Sequence, residues 1–320
     1  MKALPSPHPR PRPSPQGQRG FGLVELMVAV TLGLLLLAGV VQVFASSRQA
    51  YRLQQAQDRL QENGRTALQV LARDIRMAGF WGCHGDASQL TNNLDPAAPG
   101  YVDFVAGGVD GQEGGPGNPD VLILRGGAGA PLNLTQAMPN ASADLKVAPG
   151  NGVKQFDLLL VSDCSQGDVF QVTNSNPSGS GQLVHNTGAG QPGNLVKPLS
   201  KAYGTDAQVF QAQEIRYSVQ PGLLGQPSLF RSVNGAAQEL VEGVEDLQVS
   251  YGEDTDGDGA VNRYADANDP ALDTAKVLAV RLTLTLRSVE DNVTAAPTPF
   301  GDRRLRRTFT TTVTLRNRTS

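Results

Sequence analysis

Carboxylates at alternate positions are the clearest candidates for chemistry in this chain of 320 residues. Asp254, Asp256 and Asp258 precede Gly259 in the sequence GEDTDGDGAVNRYADANDP. Calcium takes several hard oxygen ligands, and carboxylates at positions i, i+2 and i+4 converge where the chain turns at a glycine. The pattern D-x-D-x-D-G is the first half of a calcium-binding loop, and it predicts calcium as the one cofactor of this protein.

The second half of the calcium pattern is less regular. Asn262 stands where a ninth-position ligand would, but position twelve is Ala265, so the adjacent Asp266 would have to replace the missing glutamate. No flanking helices are predicted, and such a site should bind weakly, with a dissociation constant of roughly 10⁻⁴ to 10⁻³ M. The alternative is an acidic turn without metal, because aspartate and glycine also form turns.

An apolar run near the N-terminus is the element around which the rest of the chain is organised. Gly20 is followed by FGLVELMVAVTLGLLLLAGVVQVF, in which Glu25 is the only ionisable side chain. Residues 21–44 are long enough to cross a bilayer as one helix. A carboxylate inside such a segment is costly, and its presence indicates a specific function.

This combination resembles the type IV prepilin signature. The resemblance implies that a prepilin peptidase cleaves after Gly20, that the new terminal residue Phe21 is N-methylated, and that Glu25 meets the N-terminal amine of a neighbouring subunit. Gly22 occupies the second mature position, where major pilins often have a hydroxyl residue, so major pilins match less well than the family as a whole. The alternative is an ordinary signal anchor, although secretory signals place the small residue after the apolar run.

Charge distribution predicts where each part of the chain lies. Residues 1–20 form a proline-rich, removable leader with four basic residues and no acidic ones, and the remainder has 23 basic and 30 acidic residues. This balance argues against binding to nucleic acid. Because basic flanks stay cytoplasmic, we expect a single-pass inner-membrane protein with its C-terminal head in the periplasm. The resemblance implies later incorporation into the pilus on the cell surface.

The two cysteines, Cys83 and Cys164, both fall in the predicted periplasmic head. Disulfides form in oxidising compartments, so we expect this pair to be bonded. The closed loop of about 80 residues would stabilise the fold by roughly 4 kcal/mol in the chain-entropy estimate. Two unrelated free thiols are the alternative, and metal binding by this pair is not expected because no CxxC spacing is present.

The apolar run continues without a helix breaker into an amphipathic stretch, residues 45–79. Small or apolar residues recur every three or four positions there, which predicts one helix over residues 21–78 with a stop at Gly79. Residues 80–320 are predicted to form a loop-rich head of antiparallel strands against that helix. The predicted fold class is α+β and pilin-like.

Period-two alternation and apolar runs locate the strands. They are predicted at residues 101–105, 120–125, 156–164, 168–174, 182–186, 207–220, 228–234, 247–251 and 276–288 and again near the C-terminus, with residues 239–246 as a helical turn or loop.

The C-terminal order LFR, ELVEGVEDLQVSYG, a long strand and RTFTTTVTLRNR is similar to the pattern shared by PilW minor pilins and the J-type pseudopilins of type II secretion. This resemblance implies a non-catalytic minor pilin that joins other minor and major pilins through its N-terminal helix, and that primes or caps the type IV pilus. Its partners would be the prepilin peptidase, other pilins, the inner membrane and a pilus-tip adhesin. The alternatives are a J-type pseudopilin of a type II secretion system and a membrane-anchored periplasmic enzyme or binding domain.

No catalytic motif favours the enzyme alternative. The sequence contains no G-x-S-x-G elbow, complete P-loop or H-E-x-x-H. His84 and His185, the two histidines outside the leader, are expected in loops or on the surface. Residues 82–203 contain no motif that we can assign. An arginine cluster before the last strand is given no function: Arg303, Arg304, Arg306 and Arg307.

Overall fold

The computed structural model describes Gly20, residues 22–83 and residues 87–318. Helix α1 runs from Leu23 to Met77, close to the predicted bounds. It ends where Gly79 takes a left-handed conformation with φ of +71°, which suits glycine because it has no Cβ. The chain divides into two compact units between Arg52 and Leu53, and α1 contributes residues to both. The second unit contains the head.

The larger sheet of the head has ten strands among the described residues. These are β1 (Leu90–Asn92), β2 (Val109–Gln112), β3 (Val121–Gln136), β4 (Leu145–Val147), β5 (Leu158–Ser162), β6 (Gly167–Gln171), β7 (Gln182–Leu183), β8 (Gln208–Pro221), β9 (Pro227–Val233) and β10 (Ala236–Glu242). Seven of them follow the order β1-β6-β5-β8-β3-β4-β7, while β2 pairs with β3, and β9 joins β8 to β10. All pairs are antiparallel except β1 with β6.

Strand β8 organises the larger sheet. Near its start it pairs with β5, along its length it pairs with β3, and near its end it turns into β9. Its first and last parts therefore belong to opposite ends of the head. A short helix, α2 (Pro177–Ser180), precedes β7.

The smaller sheet has four antiparallel strands in the order β12-β11-β13-β14. They are β11 (Val244–Glu253), β12 (Arg263–Ala265), β13 (Val277–Arg287) and β14 (Arg306–Thr314). In β13 one face is apolar and buried while Thr283 and Thr285 face outward toward Thr310 and Thr308 of β14. This is the alternation that the sequence predicted.

One hydrophobic core joins the second half of α1 to both sheets. Leu71 and Ile75 of the helix are fully buried in it together with Leu122 of β3 and Leu282 of β13. A second core lies under the β4–β7 region and a third surrounds Trp81. The mixed architecture, a long helix packed on a mostly antiparallel β head, confirms the predicted α+β class.

Two local predictions were wrong. Residues 239–246 are not a helical turn, because β10 continues to Glu242 and β11 begins at Val244. Gly243 lies between these two strands, and its φ of +82° lets the chain pass directly from one sheet to the other. Residues 101–105 do not form a strand, since Asp103 caps a short 3-10 helix at Phe104–Ala106 by accepting a hydrogen bond from the amide of Val105.

Candidate functional site

The residues of the predicted processing site lie at the start of α1. Gly20 is exposed, whereas Phe21 lies outside the described residues. Glu25 is exposed in the first turn of the helix, where a negative charge is favoured by the helix dipole. Within the described part of the chain Glu25 forms no salt bridge. Its carboxylate is therefore available to a group from another molecule.

The first half of α1 presents an apolar surface on all sides. Its large apolar side chains from Leu23 to Phe44 are between 51 and 77 % exposed. The most apolar 18-residue window has a mean hydropathy of 2.5 with none of it buried, and the helix is long enough to cross a membrane. Such a surface is not stable in water, so it needs lipid or other apolar helices around it.

The second half of α1 buries one stripe against the head. The buried members are Ala56, Leu60, Gly64, Ala67, Leu71 and Ile75, spaced by three or four residues. Gly64 lies directly under Phe309 of β14, because a Cβ on Gly64 would stand 2.5 Å from Cε2 of that ring. The small residue allows the helix and the strand to approach closely.

Asp74 fixes the helix to the larger sheet, a contact that no pattern in the sequence predicts. The Tyr217 hydroxyl donates a hydrogen bond to Oδ2 of Asp74 at 2.6 Å, and Nε of Arg231 donates to the same atom at 2.7 Å. Burial and the Asp74 carboxylate raise the pKa of Tyr217, so the phenol stays protonated and keeps donating. The one available signal was an acidic residue adjacent to the buried position Ile75.

The predicted calcium residues converge in part. Single carboxylate oxygens of Asp254, Asp256 and Asp258 all lie within 4.8 Å of one another. The carboxylate of Asp254 accepts hydrogen bonds from the amides of Gly259 at 2.9 Å and Gly257 at 2.6 Å. The bonds from Gly259 and then Gly257 lower the pKa of Asp254, which holds it ionised. Three clustered carboxylates fit the oxygen ligands that calcium prefers.

Of the other two predicted ligands, Asn262 contacts the cluster at Asp256, whereas Asp266 lies outside it. Oδ1 of Asn262 accepts from the amide of Thr255 at 2.6 Å, and its Nδ2 donates to Asp256 at 3.3 Å, so Asn262 braces the turn. Asp266 follows β12, three positions beyond Arg263, and its Oδ1 lies 3.5 Å from the hydroxyl of Ser250. At about 3.3 Å per residue the strand takes Asp266 roughly 10 Å away from the turn.

The predicted disulfide between Cys83 and Cys164 is present, with the two Cα atoms 5.0 Å apart. It joins the segment that follows α1 to the connection between β5 and β6. Beside it, the Ser162 hydroxyl donates to the carbonyl of Trp81 at 2.7 Å, and Trp81 is fully buried. The bond therefore holds the end of the helix against the larger sheet.

The remaining candidate residues that the structure describes form contacts within the fold. His185 is buried, with Nδ1 at 2.7 Å from the carbonyl of Lys197 and Nε2 at 3.0 Å from that of Ala143, so it bridges two loops. His84 lies outside the described residues. Arg306 binds Glu245 and Asp302, and the bond from Arg306 lowers the pKa of Asp302.

Comparison with known proteins gives matches at both ends of the chain. Residues 15–41 match the prokaryotic N-terminal methylation motif, and residues 216–317 match the type IV pilus-assembly protein W family, PilW. The first match covers the site at Gly20 and Glu25, and the second covers the smaller sheet with the end of β8. The N-terminal region is therefore similar to that of type IV pilin-like proteins. The C-terminal third is similar to the PilW family.

Two relatives come from Thermus thermophilus. A pilin-like protein, PilA3, is 41 % identical over 81 residues, which is 25 % of this chain and 35 % of the relative. The matching part thus spans about a third of that protein's length. The solved structure of a type IV-like pilin covers 82 % of this chain and 98 % of its own, with 12 % identity and a TM-score of 0.34.

Proposed function

We propose that this protein is a non-catalytic minor pilin that assembles with other pilins through the first half of α1. The observation that supports the proposal is the apolar surface of Leu23–Phe44, which lies largely within the methylation motif at residues 15–41 and contains a single carboxylate. Before assembly the segment spans the inner membrane, with the head on the periplasmic side. The prepilin peptidase then removes the leader after Gly20.

Glu25 would determine the axial position at which adjacent helices pack when the subunits assemble. After cleavage and methylation, Phe21 would present a cationic amine at the start of its helix. The Glu25 carboxylate of an adjacent subunit, without a salt bridge to the described residues of its own chain, would offer the counter-charge. In an apolar fibre interior an unpaired charge is costly, so subunits would settle where the two groups meet.

The head would contribute contacts with other minor pilins, and the complex would prime or cap the fibre, with a tip adhesin as a further partner. The test is a strain that lacks this protein. We expect few or no surface pili, seen by electron microscopy and in sheared fractions, and recovery with the wild-type chain. The E25A variant should be cleaved but absent from the sheared fibres. Normal incorporation of E25A would contradict the role of the carboxylate.

A J-type pseudopilin would use the same helix in a shorter fibre. The same deletion strain separates the two functions, because loss of a type II secretion system would stop export of its substrates and leave pili in place. The PilW match over residues 216–317 favours the pilus.

We also propose that calcium binds weakly at Asp254, Asp256 and Asp258 and orders their loop. The support is the proximity of the three carboxylates, which repel one another without a cation. Calcium supplies the positive charge that the turn lacks. The loop would stabilise the head and take no part in a reaction.

A further inference from the structure

Three large apolar side chains of the head are exposed far more than the others. Leu223, Leu224 and Phe300 are 93, 79 and 70 % exposed, whereas no other large apolar residue in the described part of the head exceeds the 57 % of Leu195. Single exposed apolar residues are ordinary, but two adjacent leucines at the tip of a hairpin are not. They indicate a partner surface.

The hairpin turn does not itself require leucine. The turn between β8 and β9 is closed by backbone hydrogen bonds from Gly222 to Gln226 at 2.7 Å and from Gly225 to Gly222 at 2.9 Å. Gly225 supplies the positive φ, of +72°. Turn positions of this kind usually hold glycine, asparagine or aspartate. The two leucines therefore add apolar surface at a place where the backbone geometry would accept polar residues.

The second unit contains the part of α1 from Leu53 onward. The hairpin tip lies at the end of the head that contacts the N-terminal residues of this part of the helix. Ser228, just after the turn, pairs with Glu242 of β10. The carbonyl of Glu242 accepts a hydrogen bond from Asn63 of α1 at 3.1 Å. Nη2 of Arg287 reaches Gln226 of the turn at 3.2 Å. We term this end of the head, around Asn63, Glu242 and Gln226, the basal end.

Phe300 belongs to the basal end as well. It lies in the loop between β13 and β14, which starts beside Arg287, and Glu290 of that loop forms an ion pair with Arg59 of α1. The guanidinium of Arg306 packs over the Phe300 ring at 4.1 Å from its centroid. All three of the most exposed apolar side chains are thus on two loops at one end of the head.

The arginine cluster that the sequence left without a function is at the same end. Arg306 is occupied by Glu245 and Asp302. Arg303 and Arg307 are exposed, and neither forms an ion pair with a carboxylate in the part of the chain that the structure describes. Exposed leucine and phenylalanine near arginines that form no ion pair supply the apolar and basic groups with which interfacial segments bind anionic phospholipid.

We propose that the basal end is a membrane-contact surface. Leu223, Leu224 and Phe300 enter the headgroup region of the bilayer, and Arg303 and Arg307 meet lipid phosphates, while the protein waits in the membrane before assembly. The inference rests on the membrane anchoring in the proposed function. In the sequence, only eight residues, 45–52, separate Phe44 from the start of the second unit.

Tryptophan fluorescence tests this contact in the full-length chain. The native Trp81 is fully buried and gives a constant background. L224W places a second tryptophan at the hairpin tip, and L195W places one on an exposed site near the β1–β6 end of the head. Each variant is reconstituted into vesicles of phosphatidylcholine and phosphatidylglycerol with or without brominated acyl chains, which quench tryptophan on contact.

We expect brominated lipid to remove most of the added emission of L224W and little of that of L195W. Equal, weak quenching of the two variants overturns the proposal. Vesicle flotation, measured first, reports anchoring by the apolar helix. Flotation without quenching of L224W refutes the basal contact alone, whereas absence of flotation refutes the anchor and, with it, this inference.

The arginines are tested in the L224W background by R303Q combined with R307Q. Quenching of L224W should rise with the phosphatidylglycerol fraction, and the double arginine substitution should abolish that rise. If L224W is unquenched in vesicles but becomes shielded from a soluble quencher inside isolated pili, the basal end binds a neighbouring protein subunit, and the lipid proposal is wrong.

Discussion

The two halves of α1 have the same secondary structure and opposite surroundings. From Leu23 to Phe44 every large apolar side chain is exposed, whereas from Ala56 to Ile75 one stripe is buried and the other faces are polar. The apolar stripe of the second half, which includes Leu71, is covered by the head of the same chain. The first half has no such cover within the described residues, so its stability depends on lipid or on other chains.

The glycines of the helix show the same contrast. A Cβ on Gly33 or Gly39 would meet no atom within 4 Å, while one on Gly64 would collide with the Phe309 ring. In the first half, glycine is free for contacts that another helix supplies, and close approach of helices in a membrane favours small residues. In the second half it has already been used for a contact inside the chain.

We expect the largest effect from a substitution that prevents removal of the leader, because it acts on the first half of α1 alone. G20L should leave the leader attached, because the peptidase requires a small residue before the cut, and no protein should reach the pilus. G33A, inside the apolar run, should be cleaved and assembled normally. The measurement is the mobility of the membrane-bound protein together with its amount in sheared fibres. Normal cleavage of G20L would exclude the prepilin mechanism.

Leucine truncation in each half should have unequal effects on the head. L71A removes a fully buried side chain and should lower the free energy of unfolding by about 2–5 kcal/mol. L35A alters a side chain that is 69 % exposed and should change it by less than about 0.5 kcal/mol. Denaturant unfolding of the full chain in detergent, followed by near-ultraviolet circular dichroism, compares them. Equal losses would show that the first half also packs on the head.

Alanine at two glycines should give effects of opposite sign. G64A gains helix propensity, but the new Cβ overlaps the Phe309 ring. Because the cost of overpacking exceeds the gain in propensity, we expect the free energy of unfolding to fall by about 1 kcal/mol. G39A meets nothing and should stabilise the helix by up to about 1 kcal/mol. The double variant G64A with F309L should recover stability if the ring is the cause. No recovery would locate the strain elsewhere.

Calcium should act on the head alone, and by the smallest amount. With a dissociation constant near 10⁻³ M, about 2 mM calcium should raise the free energy of unfolding by about 0.65 kcal/mol. D256A with D258A should remove the rise, and D266A should keep it because Asp266 lies outside the cluster. Thermal unfolding with calcium or magnesium measures this. A rise that persists in the double variant would exclude the loop.

Local patterns in the sequence predicted the long helix and several of the strands because each pattern reflects a short-range rule. The three-to-four spacing from Leu53 to Ala78 gave the second half of α1, and the alternation in Lys276–Ser288 gave β13. The pairing of the two cysteines was predicted from an expected oxidising compartment, and the disulfide is present. The methylation motif at Gly20 was readable because its position before an apolar run has a direct physical meaning.

Long-range arrangement was not predictable in the same way. Nothing near Asp74 in the chain indicates Tyr217 and Arg231, and nothing near Leu223 indicates that Phe300 shares its end of the head. The sequence predicts a helical turn or loop at residues 239–246, whereas tertiary pairing makes Gly243 a junction between strands of two sheets. The spacing of its aspartates identifies the acidic loop in the sequence. Strand β12 separates Asp266 from the other three carboxylates, and that separation depends on pairing with β11.

The N-terminal residue of the protein in the membrane tests the central claim most directly. Mass spectrometry of the chain, recovered from membranes of a cell that contains its own prepilin peptidase, should show N-methylated Phe21 followed by the whole apolar segment. The exposed half of α1 would then be part of the mature subunit and available to other pilins. An intact Met1, or a cut beyond Phe44, would contradict the assembly role and leave Glu25 without its partner.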